Sequence, residues 1–182
     1  MNQPASRGSA WADWAPFGVI ALGLGFILLT SRALDGPPVD EGVAMPALDV
    51  EGWLNLPEGT ATFDPAGRIV VVDCWATWCG PCRAALPELA RVAATYRPLG
   101  VEFVGLTRET SSDLPAIQNV IDTTDGFDWP VGYGVEGFFR KLNIQAIPTL
   151  IAFDQRGQSF YSHAGAGGLS SLEAALDDAL AK

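Results

Sequence analysis

An α/β fold built on a central sheet is predicted for this chain from three observations. The unbroken apolar run Ile69-Val70-Val71-Val72, between Arg68 and Asp73-Cys74-Trp75, has the length and β-branching of a strand covered on both faces. Segments of helical period follow it in alternation with further short apolar runs. Two cysteines in C-x-x-C spacing, Cys79 and Cys82, stand at the first strand-to-helix junction.

By composition the chain divides into residues 1–32, a tail and membrane segment; 33–46, a flexible tether; and 47–182, the folded domain. Ala15 to Thr30 runs for sixteen residues without a charge, with Trp11 and Trp14 just ahead of it. About 17 to 25 apolar residues span a bilayer as a helix. Counting Trp14, and letting Ser31 and Arg32 lie at the interface, brings residues 14–32 into that range, and the tryptophans suit an interfacial belt. An uncleaved anchor is the expectation; the alternative is a cleaved signal peptide with Ser31-Arg32-Ala33 as its small-x-small site. Either reading sends the remainder across the membrane. Ala33 to Glu51 holds Gly36, Pro37, Pro38, Gly42 and Pro46 among the acidic residues Asp35, Asp40, Glu41, Asp49 and Glu51, the composition of extended, solvated chain.

Within the folded part, Pro81 to Tyr96 places Ala84, Ala85, Leu89, Val92 and Ala93 at helical spacing, with Pro87 inside as a kink. Val101 to Leu106 reads as the next strand. Helical patterns follow over Leu114 to Asp122, with Ser111, Ser112 or Asp113 as N-cap, and over Val135 to Leu142. Thr149 to Phe153 and Gln158 to His163 flank the turn sequence Asp154-Gln155-Arg156-Gly157 and predict a β-hairpin. A last helix begins near Ser170, where Ser170 and Glu173 have capping-box spacing. Taken in order, these elements run β-α-β-α-α-β-β-α.

Composition removes several classes of function. A formal net charge of −10 over 182 residues, with no basic stripe, repels a phosphate backbone, and no nucleic-acid partner is expected. Three cysteines are too few and odd in number for a disulfide scaffold, so the C-x-x-C pair signals redox chemistry or metal binding. A zinc knuckle needs two further ligands, and only Cys74 and the lone His163 remain, so neither a metal nor another cofactor is expected. A helix start carries unpaired N–H groups and roughly half a positive charge, and C-x-x-C thiols there have pKa values lowered to about 3.5–7.5. That favours thiolate at Cys79, with Cys82, one turn in, the more buried of the two. Pro81 fits the first helical turn, where its missing N–H costs nothing, and Gly80 leaves room for a partner chain to approach the sulfur.

The stretch Val72-Asp73-Cys74-Trp75-Ala76-Thr77-Trp78-Cys79-Gly80-Pro81-Cys82 resembles the active-site strand and loop of thioredoxin. Pro87 falls where thioredoxin kinks its first long helix, and Ile147-Pro148-Thr149 is similar to the family's cis-proline motif. The membrane segment, the Trp-Ala-Thr-Trp wording and a helical insertion between Thr107 and Gly134 narrow the resemblance to the membrane-anchored TlpA-like and ResA-like bacterial proteins, over about Pro46 to Lys182. It implies a thioredoxin-like three-layer fold with a central mixed sheet, preceded by an N-terminal transmembrane helix. It also implies a redox-active Cys79–Cys82 disulfide. Cys79 is then the attacking thiol, exposed to substrate, and Cys82 the resolving one. Asp73, where many TlpA-like proteins carry asparagine, is the buried carboxylate that takes the Cys82 proton. A cis Pro148 would present the Ile147 backbone as an open edge to an extended substrate, with Trp78, Gly80 and Pro81 completing the contact surface and Trp75 supporting it from below. Cys74 reads as core packing; His163 and Glu88 receive no role.

The implied function is an extracytoplasmic thiol:disulfide oxidoreductase that reduces disulfides of partner proteins, in roles such as cytochrome c maturation or copper-site assembly. It would sit in the bacterial inner membrane as a single-pass protein with the catalytic domain facing the periplasm or exterior. The Gly80-Pro81 dipeptide, shared with thioredoxin at about −270 mV against about −120 mV for strong oxidants, points in the reducing direction. Such a dithiol also needs a membrane or periplasmic electron donor. The alternatives are a Cu(I) metallochaperone using the same two sulfurs and a peroxiredoxin-like peroxidase, for which no cysteine in a Thr-x-x-Cys setting is found.

Overall fold

Residues 37–182, which the computed structural model describes, run β1 (Gly52–Leu54), β2 (Ile69–Cys74), α1 (Gly80–Tyr96), β3 (Val101–Leu106), α2 (Leu114–Thr123), β4 (Val131–Tyr133), α3 (Glu136–Lys141), β5 (Thr149–Phe153), β6 (Ser159–Ala164) and α4 (Leu169–Leu180). Every residue of β2 is buried, as its continuous apolar run requires. It pairs parallel with β3 and antiparallel with β5, and this makes the sheet mixed. The six strands lie in the order β1-β4-β3-β2-β5-β6.

The two-residue period of a strand divides β2 between two cores. Ile69 and Val71 face one cluster, which includes Leu86 and Leu89 of α1, Ile117 and Val120 of α2, and Leu172 and Leu176 of α4. Val70, Val72 and Cys74 face the other, with Phe138 and Phe139 of α3. Asp73, in phase with Ile69 and Val71, therefore points toward α1, while Cys74 points away from it. Helix, sheet and helix form the three layers that the resemblance implies. Burying each large aliphatic or aromatic side chain of these clusters contributes about 1.5–3 kcal/mol against the entropy of ordering the chain.

Several local expectations are corrected. β1 and β4 were not legible, because three residues each, with Gly52 and Gly132 among them, are too short to show a period. The core face of α1 runs through Cys82, Leu86, Leu89, Ala90, Val92, Ala93 and Tyr96, whereas Ala84 is exposed. The α4 N-cap is Gly168, at φ 79°, and Ser170 lies inside the helix without capping it. Ahead of α2, the reciprocal capping bonds join Thr110 and Asp113 around a 3₁₀ turn, Ser111–Asp113.

The tether expected over residues 33–46 is packed against the sheet wherever it is described from Val39 on. Gly42 N–H donates to the Ser159 carbonyl at 2.7 Å, Ser159 N–H to Val43 at 2.9 Å, and Met45 N–H to Gly157 at 2.8 Å. Val39, Val43 and Met45 pack on the core around Phe138. The apolar residues between the prolines and glycines are what allow this strap to dock. Among the described residues no helix is long and apolar enough to cross a membrane. The Ala15–Thr30 segment, on which the anchor and the signal-peptide readings both rest, lies outside them.

Candidate active site

The chain leaves β2 at Cys74 and makes one tight turn before α1. Trp75 N–H donates to the Leu106 carbonyl of β3 at 3.1 Å, and Cys79 N–H closes back on Ala76 at 3.1 Å. Thr77 and Trp78 thus form the corner of a β-turn. Cys79 is the N-cap of α1, its sulfur accepting the Cys82 N–H at 3.1 Å. Pro81 occupies the first helical turn, and no acidic residue lies there to compete for the positive end of the helix. Cys79 and Cys82 are joined by a disulfide of 2.02 Å.

Burial differs from expectation at one point. Cys79 is 4% exposed and Cys82 2%, so the attacking sulfur expected to be open to substrate is nearly as enclosed as its partner. The exposed groups around the pair are Gly80, Pro81 and Trp78, the last 75% exposed. Trp75 is buried beneath, with its ring edge-on to Phe127 at 5.5 Å. Gly105 on β3, opposite Asp73, allows this packing: a Cβ there would lie 2.9 Å from the Trp75 indole nitrogen. The Ile147–Pro148 peptide bond is cis, with Ile147 half-buried and Pro148 buried. Between Ile147 and Trp78 lies a groove of about 100 Å³, floored by Phe139 and Ile144.

Asp73 lies under the pair. It is 5% exposed, its Oδ2 has no hydrogen-bond partner in the protein, and it lines a cavity of about 10 Å³ together with Cys82, Leu86 and Pro148. Burial pushes its pKa up to about 7. A carboxyl group with that pKa exchanges protons readily near neutrality. Cys74 is fully buried on the opposite face, and burial, then the charge of Asp73, push its thiol well up. It stays a protonated core residue. Glu88 faces solvent beside Arg91 at 3.6 Å, and His163 lies on β6 opposite Leu150.

One residue of this region, Glu109, escaped sequence reading. Glu109, just past β3, accepts the Thr77 N–H at 2.8 Å and also the Thr77 hydroxyl. An acidic side chain immediately beyond the carboxyl end of a central strand was the available signal, because ligand-facing groups of α/β sheets gather there.

A surface disulfide loop at a helix start, a cis-proline loop and a buried carboxylate, all carried by a mixed sheet between helices, define a thiol–disulfide oxidoreductase of thioredoxin-like fold. Residues 41–176 match the Redoxin family, and the chain belongs to it. It is similar to the thiol-disulfide oxidoreductase ResA of Oceanobacillus iheyensis, 31% identical over 116 residues that cover 63% of this chain and 59% of ResA. It is also similar to the thioredoxin-like protein YneN of Bacillus subtilis, 28% identical over 66% of this chain and 70% of YneN. A solved thiol-disulfide isomerase from Corynebacterium glutamicum shares the fold at a TM-score of 0.64 and 23% identity, covering 76% of this chain and 96% of that one.

Proposed function

We propose that this oxidoreductase works as a reductase of protein disulfides outside the cytoplasm, held to the inner membrane by residues 14–32. The observation that carries the redox half of this reading is the placement of Cys79 as the N-cap of α1, with Cys82 sharing a cavity with Asp73. With the pair reduced, the Cys79 thiolate attacks one sulfur of a substrate disulfide, forming a mixed disulfide and expelling the other substrate sulfur as thiolate. Asp73 takes the Cys82 proton, Cys82 attacks the Cys79 sulfur, and the second substrate sulfur leaves. Two electrons pass from the pair to the substrate, and a dithiol donor must restore them. Trp78, Gly80, Pro81, Ile147 and Pro148 form the surface on which the substrate segment lies. The Gly80-Pro81 dipeptide supports the reducing direction, the similarity to ResA supports thiol–disulfide exchange, and the uncharged run Ala15–Thr30 supports a membrane-side role such as cytochrome c maturation or copper-site assembly. The test is Cys82→Ser expressed in cells. It is expected to stall covalent partner complexes on Cys79 that dithiothreitol releases and that the Cys79→Ser, Cys82→Ser double variant lacks. Recovery of no covalent partner would overturn the reading.

A further inference from the structure

The turn that delivers Cys79 to the helix start is held from outside itself. Its corner residue Thr77 gives both its N–H and its hydroxyl to the Glu109 carboxylate, one to each oxygen. The carboxylate is supported in turn: the Thr107 hydroxyl donates to Oε2 at 3.1 Å, and the Glu109 carbonyl accepts the Gly134 N–H at 2.7 Å. Glu109 is thus fixed to the ends of β3 and β4 and reaches across to the loop two residues ahead of the cysteine. No cation neutralises it among the described residues, because the adjacent Arg108 is engaged by Glu136 at 2.8 Å and lies 5.2 Å from the centre of the Phe139 ring. The other titratable or charged groups bearing on Cys79 are Cys82 and Asp73 beneath it, Cys74 across β2, and Arg83 and Glu88 on α1. Of these and Glu109, Glu109 alone hydrogen-bonds the Thr77 corner through its side chain.

We infer that Glu109 is the positioning residue of the redox loop. It locks the Thr77–Trp78 corner and, through its charge, opposes thiolate formation at Cys79, which keeps the pair reducing. The electrostatic sign follows from the charge forms involved. A nearby negative charge disfavours the thiolate, opposing the helix end, and it leaves the uncharged disulfide untouched. The dithiol form is thereby raised relative to the disulfide, and the pair gives up electrons more readily. The inference rests on Cys79 being the attacking thiol.

The test combines the pH profile of iodoacetamide labelling of the reduced protein, read by peptide mapping, with the redox equilibrium against glutathione and the rate of insulin disulfide reduction. Glu109→Gln keeps the shape and drops the charge. It is expected to move the Cys79 labelling midpoint to lower pH by about half a unit or more, and the glutathione equilibrium toward the dithiol by about threefold or more. Thr77→Val keeps the charge and drops the hydroxyl bond; it is expected to slow reduction by about two- to tenfold, and Thr77→Ser to restore it. A folded Glu109→Gln protein with the parent's midpoint and equilibrium would overturn the inference, as would Thr77→Val at the parent rate, which decides the matter if Glu109→Gln does not fold. Labelling of the parent at Cys82 in place of Cys79 would instead remove the assignment of the attacking thiol, and this inference with it.

Discussion

Asp73 puts a carboxyl group where β2 and α1 exclude water. Its pKa rises from 3.8 to about 7 through burial, so the folded chain retains a proton there that the unfolded chain has already lost. A folded-state pKa raised in this way gives stability that is fully present below pH 3.8 and lost as pH climbs through about 7. At 1.36 kcal/mol per unit the loss is about 4 kcal/mol. Asp73→Asn should therefore match the oxidised parent near pH 4 and become the more stable of the two by pH 8, as urea unfolding at the two pH values will measure. A gap that does not widen with pH would mean that burial does not hold the Asp73 pKa above its value in the unfolded chain. The same variant should reduce a model disulfide more slowly while Cys79 alkylation stays near the parent rate. An unchanged reduction rate would remove Asp73 from the mechanism.

Among the elements, the strap over residues 39–45 is tied to two side chains of β6, Ser162, which accepts the Val39 N–H at 2.9 Å, and Ser159. The Ser159 hydroxyl donates to the Asp40 carbonyl at 2.7 Å and accepts the Val43 N–H at 2.9 Å, and the residue is 4% exposed. Ser159→Ala leaves both backbone groups unpaired and is expected to cost about 1–3 kcal/mol. It should also speed hydrogen exchange at Val43 with little change in the middle of α1; equal protection of the Val43 amide in both proteins would show that the strap holds without it. Elements whose cause is local were legible in the sequence: β2 as a continuous apolar run, β5 and β6 from the Asp154–Gly157 turn, α1 from its period and its C-x-x-C start. In that turn Asp154 accepts the backbone N–H groups of Arg156 and Gln158 at 2.9 and 2.8 Å, and no distant residue is needed to set it. The strap was read as tether because its partner Ser159 lies 116 residues beyond Val43. Glu109 was missed for the same reason, 32 residues from Thr77, although Cys79, Cys82, Asp73 and Pro148 could each be located from motif and strand alone.

For the molecule as a whole, the described residues 37–182 close two hydrophobic cores, and the anchor proposed for residues 14–32 makes a separate prediction. The full chain should sediment with membranes and resist alkaline carbonate, whereas a chain starting at Pro37 should be soluble and melt at the same temperature. Carbonate release of the intact full-length chain would sink the anchor, and a mature protein beginning near Ala33 would replace it with a cleaved signal. The strap bears on where such a shortened chain may safely begin. β6 ends the strand order, and the backbone bonds from Gly42, Val43 and Met45 occupy its outer side over Gly157 to Ser159. An uncovered outer strand offers its free N–H and C=O groups to any neighbouring chain. A start after Pro46 would keep every cysteine and the whole of α1, yet expose that ladder to a second copy and make the shortened chain prone to aggregate.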